Sequence, residues 1–216
     1  MSALRRSPLH DRLESNGARF FERDGMPTAA SLGGHDGARA RVLGLGDLSH
    51  LPRIGFKGPE APAWVQQHGL ALPQPNGWTP LEGGGLLARL AMTEFFVEGA
   101  GVSRLQAALR ARPAGVYPVL RQDAGLVLVG ERLDELLAET CNVNFRAVPP
   151  GQVVMTLMVG VSVLAIRVER EAASLLRLWC DPTMAPYLWD TLAGIARELG
   201  GGPVGIDVLP VALPQV

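Results

Sequence analysis

From Arg41 onward the apolar positions fall into alternating runs and helical stripes that can be read as elements. RVLGL and RIGFK alternate as strands, and Gly58-Pro59 then opens a helix over PEAPAWVQQHGL, since proline is tolerated in a first helical turn. Residues 72–85 are turn-rich, LLARLAMTEFFVEG reads as strand with a bend, and a polar helix runs from Ser103 to Arg112 with Ser103 as its N-cap. After Pro113 come the strands VYPVL and GLVLVG, then an amphipathic helix, ERLDELLAETC, with Leu133, Leu136 and Leu137 on one face. PPGQ breaks the chain. VVMTLMVGVSVLAI predicts two strands meeting near Gly160, and SLLRLW predicts another. A helix over 183–199 follows, its apolar stripe being Leu188, Leu192, Ile195 and Leu199, with Asp181 or Thr183 as cap and Gly200–Gly202 as stop. The tail, VGIDVLPVALPQV, gives one last strand before prolines end it.

The first forty residues hold one short helix, Pro8 to Leu13, and a segment without period, SLGGHDGARA, expected to be a surface loop or arm. The expected organisation is an N-terminal segment and Gly-rich arm over 1–40, a first lobe over 41–112 and a second over 113–216. IGFKGPEAPAWVQQ and LVLVGERLDELLAE each read as strand, glycine and acidic helix start, which suggests two similar lobes. The fold class is α+β with two lobes of mixed sheet.

The chain has 216 residues, enough for an ordinary core without a disulfide or metal staple. A net charge of -1 leaves no electrostatic footprint for nucleic acid or an anionic membrane. The longest apolar stretch, Val153 to Ile166, falls short of the roughly 20 residues that a membrane span needs. Two cysteines and an N-terminus without an apolar signal core point to a reduced cytoplasm. Its cations are nineteen Arg and one Lys, Lys57, so lysine-based covalent chemistry would rest on that residue alone. Gly (26) and Pro (17) form about a fifth of the chain, which implies many short elements joined by tight turns.

Candidate chemistry is sparse. His10, His35, His50 and His68 fall at no ligand spacing, and Cys141 and Cys180 lie far apart, so no metal site is expected. Cys141 ends a helix and Cys180 precedes Asp181, surroundings that disfavour a thiolate, and both read as buried structural thiols. Gly83–Gly85 is followed by Leu86-Leu87-Ala88 rather than by the Lys and Ser/Thr of a phosphate loop, and reads as a turn. Asp47 and His50 in GLGDLSH could form an acid–base pair, although Asp47 and Ser49 equally suit a self-satisfied turn. WCDPTMAPYLW gathers Trp179, Tyr187 and Trp189, which suit a core or an interface.

The succession of SPLHDRLESNGARF, LGDLSHLPRIGFKGPEAPAWVQQ and GGGLLARLAMTEFFVEG resembles the start of the aminomethyltransferases, the T-protein family of the glycine cleavage system. LVLVGERLDELLAETCNVNF, SLLRLWCD, PYLWDTLAGIARELG and GGPVGID resemble the segments that complete that family's folate-binding fold. The likeness stops before the family's C-terminal barrel. RQDAGLVLVG, ETCNVNF and LWCDPTMAPYLW look most like the small gamma subunits of heterotetrameric sarcosine oxidases and of N-methylglutamate dehydrogenase complexes.

What the resemblance implies turns on departures from it. After the Gly-Gly turn, where the family carries an Asp-Asp pair with its catalytic acid, this chain has Ala88 and Arg89. VEREAAS and Leu176-Arg177-Leu178 replace the family's Thr-Gly-Glu turn and Phe-Glu-Leu strand, so a cation stands where a carboxylate would meet the pterin. Asp47, Ser49 and His50 match the family's DVSH framework loop. The resemblance therefore implies an accessory subunit with no catalytic residue and no bound metal or cofactor. It would dock on a large flavin- and NAD-bearing subunit, with tetrahydrofolate also held by partner subunits. Arg177, Trp179, Tyr187 and Trp189, with the arm from Ser31 to Arg39, are the expected partner contact. The alternative is a free-standing folate-binding or aminomethyltransferase-like protein using Glu169, Glu171 or Asp123 as replacement carboxylates.

Overall fold

A computed structural model describes residues 5–168 and 174–209. The chain opens with α1 (His10–Ser15), β1 (Arg19–Arg23), β2 (Met26–Ser31), α2 (Asp36–Leu43) and β3 (Gly44–Asp47). The middle supplies β4 (Arg53–Lys57), α3 (Ala61–Gln67), β5 (Gly77–Leu81), β6 (Gly85–Ala91), β7 (Glu94–Glu98), α4 (Val102–Arg110) and β8 (Tyr117–Val119). Then come β9 (Ala124–Val129), α5 (Leu133–Thr140), β10 (Val154–Met158), β11 (Val161–Val168), β12 (Leu175–Cys180), α6 (Ala185–Glu198) and β13 (Gly202–Pro203). The fold is α+β.

These elements form two units, and the expected division into 41–112 and 113–216 is corrected. One unit takes residues 5–50, 123–150 and 154–209, and the other takes 51–122 with 151–153. The reason is a long-range pairing: β3 joins the second half of the chain by running antiparallel to β9, Gly44 opposite Val129 and Asp47 opposite Leu126. The first unit's main sheet has the order β10-β11-β12-β9-β3-β13, and the second unit's sheet has the order β5-β6-β7-β4-β8.

The two units share one chain path, as the sequence repeat suggested. In each a central strand (β9 or β4) turns at a glycine into a helix (α5 or α3), a three-strand meander follows, and a second helix (α6 or α4) ends it. The glycines occupy matching conformations, φ +136° at Gly130 and +138° at Gly58, which side chains rarely adopt. A Cβ on Gly130 would lie 2.5 Å from the Val42 carbonyl oxygen, and one on Gly58 2.1 Å from that of Gly115. The strand–helix corner in each unit is therefore a glycine position for steric as well as torsional reasons.

In the first unit α5 and α6 cover one sheet face: Leu133, Leu136, Leu188, Trp189 and Leu192 pack with Leu126, Leu128, Leu176 and Leu178. The stripe expected on the last helix holds, with Leu188 and Leu192 fully buried, Leu199 buried and Ile195 packed against the core. In the second unit α3 and α4 bring Trp64, Val65, Leu105 and Leu109 onto Phe56, Leu87, Phe95 and Val97. Trp64 meets Phe56 edge-on at 4.9 Å, and Phe56 stacks on Phe95 at 5.2 Å.

Several local expectations fail where tertiary contacts override pattern. Arg41–Leu43 ends α2 rather than forming a strand, and Phe20 to Ser31 forms most of a hairpin, β1–β2, which its composition did not signal. The expected arm from Ser31 to Arg39 is instead a turn leading into α2. It is held by the buried Asp36 carboxylate, which accepts from the backbone N–H of Leu32 (2.7 Å) and of Gly205 (3.1 Å). The strand expected over the tail from Val204 is not formed over 204–209, where a 3-10 turn covers Ile206–Val208 after a short strand at Gly202–Pro203, and the rest of the expected strand lies outside the described residues.

Gly130→Ala should destabilise the chain by about 1–3 kcal/mol, the scale of a residue forced into a sparsely populated backbone region. Gly160→Ala, at φ +83° with open space around it, should cost less. Urea unfolding of both variants checks this ordering.

Candidate functional site

The Asp47–His50 segment leaves the end of β3 and closes on itself. One Asp47 carboxylate oxygen accepts from the Ser7 hydroxyl (2.5 Å) and the other from the Ser49 backbone N–H (2.9 Å). Ser49 Oγ accepts from the Gly125 N–H at 3.2 Å, Leu48 N–H donates to the Gly125 carbonyl at 2.7 Å, and Arg5 donates to the Ser49 carbonyl at 2.6 Å. Asp47, Ser49 and His50 are all buried. A carboxylate engaged on both oxygens and shut from solvent suits the turn reading.

The expected contact residues divide. Tyr187 is exposed, at 52%, whereas Arg177, Trp179 and Trp189 are at 2%, 2% and 1%, so for these three the surface expectation is corrected. Strand alternation explains it. On β12, Leu176, Leu178 and Cys180 face α6 while Arg177 and Trp179 take the opposite face, and Trp189 on α6 packs in the helix-side core. The sheet thus separates the two tryptophans. Arg177 lies with its guanidinium carbon 5.4 Å from the Trp179 ring centre, a buried cation–π pair.

The second unit holds charges that the sequence reading missed. Arg53 and Glu98 face each other across β4 and β7 and make an ion pair at 2.6 Å, both side chains nearly fully buried. On the same face Arg121 pairs with Glu94 at 3.1 Å and lies 5.5 Å over the Phe96 ring. Gly55 makes room for it, because a Cβ there would sit 3.1 Å from the Arg121 side chain. The available signal was period-two alternation of opposite charges: Arg53 and Lys57 in RIGFK against Glu94 and Glu98 in EFFVE, which the register sets opposite one another.

Beside these charges a groove of about 1060 Å³ is lined by residues of β4, the end of α4 and the segment through β8 to Arg121. Its walls include Ile54, Leu109, Val116 and Val119, and its cations are Arg53, Arg110, Arg112 and Arg121. Among the described residues no Asp, Glu, His, Cys or Ser lines it, so these walls offer binding surface without a carboxylate, imidazole or thiol. A smaller cavity of about 490 Å³ in the first unit lies around Cys141 and the Asn142–Arg146 turn. There Asp134 bridges Arg167 (2.5 Å) and Arg146 (2.6 Å); partial burial opposes ionisation, but the two guanidiniums outweigh it and hold the carboxyl below its ordinary range.

The positions flagged by the resemblance have structural occupations. Ala88 is fully buried in β6 between Trp78 and Phe96 of the neighbouring strands. Arg89 donates to the carbonyls of Pro73 (3.1 Å) and Met92 (2.7 Å). Asp123 is half-buried, and Glu169 and Glu171 lie outside the described residues. Cys141 and Cys180 are free and buried; burial first, then the charges of Asp123 and Asp181, pushes the Cys180 thiol up to about 11. Among the described residues no three His, Cys, Asp or Glu converge as a metal site, and no helix is long and apolar enough to cross a membrane.

No family model matches the chain. It is 28% identical over 229 aligned residues to an aminomethyltransferase of Saccharopolyspora erythraea, a match covering 96% of this chain and 62% of that one. The glycine cleavage system aminomethyltransferase T of Bartonella henselae superposes with a TM-score of 0.77 at 21% identity, over 95% of this chain and 61% of that chain. The chain has the aminomethyltransferase fold over this span and is similar in sequence to that family. A chain of the heterotetrameric sarcosine oxidase of Corynebacterium sp. U-96 also matches, over 92% of this chain and 98% of its own length, with a TM-score of 0.66 and 18% identity. The chain therefore spans about three fifths of the aminomethyltransferases it resembles.

Removing one partner of the buried Arg53–Glu98 pair, by R53M or E98Q, should cost about 3–5 kcal/mol, while R53M/E98L should regain most of that because no lone charge stays buried. Urea denaturation of the three variants reads this directly. Cys180 in the native chain at pH 8 should react with a disulfide reagent far more slowly than in guanidine; equal rates would contradict the thiol assignment.

Proposed function

We propose that this chain is an accessory, noncatalytic gamma-type subunit of a flavin-dependent oxidase or dehydrogenase complex acting on an N-methyl amino acid and linked to one-carbon folate metabolism. The observation that carries the reading is the end-to-end correspondence with one chain of a heterotetrameric sarcosine oxidase, 98% of which is covered, against about three fifths of the aminomethyltransferases. Ala88 and Arg89 support it: the first presents only a methyl group in a packed sheet, and the second spends its donors on nearby carbonyls. Arg177, buried on Trp179, likewise offers a pterin no carboxylate. In this reading flavin, NAD and tetrahydrofolate are held by partner subunits. Two free, buried cysteines suit a reducing cytoplasm.

A second reading, a free-standing folate-binding or aminomethyltransferase-like protein, is favoured by the sequence match to an aminomethyltransferase over 96% of the chain. Losing two hydrogen-bonding carboxylates at about 1–3 kcal/mol each would weaken pterin binding by orders of magnitude, which is why it ranks second. Co-expression with the flavin-bearing subunit of a sarcosine-oxidase-type complex from the same source, followed by size-exclusion chromatography and calorimetry with tetrahydrofolate, separates the two. The expected result is a stable hetero-oligomer containing flavin and no micromolar folate binding by this chain alone. A monomer that binds tetrahydrofolate tightly and ignores the flavin subunit would overturn the proposal.

A further inference from the structure

We propose that the groove between the end of α4 and β8 is a docking site for an acidic amphipathic helix of a partner polypeptide. The charge on its walls is unbalanced. Arg53 and Arg121 already pair with Glu98 and Glu94, but the Arg110 and Arg112 side chains are exposed and, among the described residues, make no hydrogen bond or ion pair. Two free guanidiniums beside Ile54, Leu109, Val116 and Val119 call for an occupant that is apolar on one side and anionic on its flank. Size argues for a polypeptide, since about 1060 Å³, open to solvent, exceeds the usual range for small-molecule pockets. The rim argues likewise: Leu120 at 80% and Tyr117 at 59% exposure stand out as anchors that a ligand sunk in the groove would leave wet and a protein surface would cover. Pro118 sits in β8, the outermost strand of its sheet, where it removes a backbone donor and disfavours an added strand. The occupant is then held through side chains, as an amphipathic helix is.

This surface goes beyond the subunit reading and is tested without the flavin subunit. The full chain is titrated into two fluorescein-labelled synthetic amphipathic peptides, one of Leu, Ala and Glu and its counterpart with Lys for Glu, and fluorescence anisotropy is read. The acidic peptide should bind, the basic one should not, and R110E/R112E should weaken binding about tenfold, the scale of two exposed ion pairs turned into repulsions. Leu120→Ser, a change at an exposed position, should weaken it too, with the melting temperature of both variants unchanged. Absence of acidic-peptide binding, equal binding of both peptides, or an unaltered R110E/R112E titration overturns the docking site. So does full displacement of the peptide by benzoate at stoichiometric concentration, which would make the groove a small-carboxylate site. Loss of the flavin subunit in co-expression would instead count against the subunit reading alone.

Discussion

The antiparallel pairing of Gly44–Asp47 with Leu126–Val129 is the contact on which the rest of the first unit depends. It brings residues some eighty positions apart into one ladder, so the loop-closure entropy is paid before the pairing returns anything. Leu45, fully buried, enters the helix-side core from this strand, and Gly46 leaves space that Leu209 and Val127 fill. Once β3 is in place, Asp47 stands where Ser7 and Ser49 can satisfy it, and Ser49 can close on Gly125. A family framework motif thus has a physical explanation: DLSH is the latch where the returning strand leaves the sheet.

In both units helices cover one sheet face, yet the other face is also buried and carries charge. Arg177 on β12, and Arg53, Glu98 and Arg121 in or beside the second sheet, are guanidinium or carboxylate groups where an apolar residue would cost less desolvation. In the second unit this face carries Arg121 over Phe96 with Ala88 beside them, and in the first Arg177 lies over Trp179.

Much of the second half was legible because its signals are local. Leu188, Leu192 and Leu199 stripe one helix, Gly160 turns one hairpin, and a glycine ends the central strand of each repeat, so period and punctuation sufficed. The first forty residues were not, because Phe20–Ser31 alternates poorly and Asp36 anchors its turn through Gly205, far away in sequence. The Trp179–Trp189 cluster was misjudged for a related reason. Ten residues apart, the two rings lie on opposite sides of one sheet, which proximity in sequence conceals.

The sequence by itself determined the element types over most of its length, the repeated strand–glycine–helix corner and the likeness to the aminomethyltransferase fold, all of which rest on residues near one another or on motifs read in order. Only the tertiary structure decided that the two ends of the chain build one unit, that Arg53 meets Glu98, and that Arg110 and Arg112 are left over beside an apolar groove. Strand register is the physical reason: pairing partners are chosen by the burial of whole faces, and a single residue's charge or size does not reveal which distant strand will lie beside it.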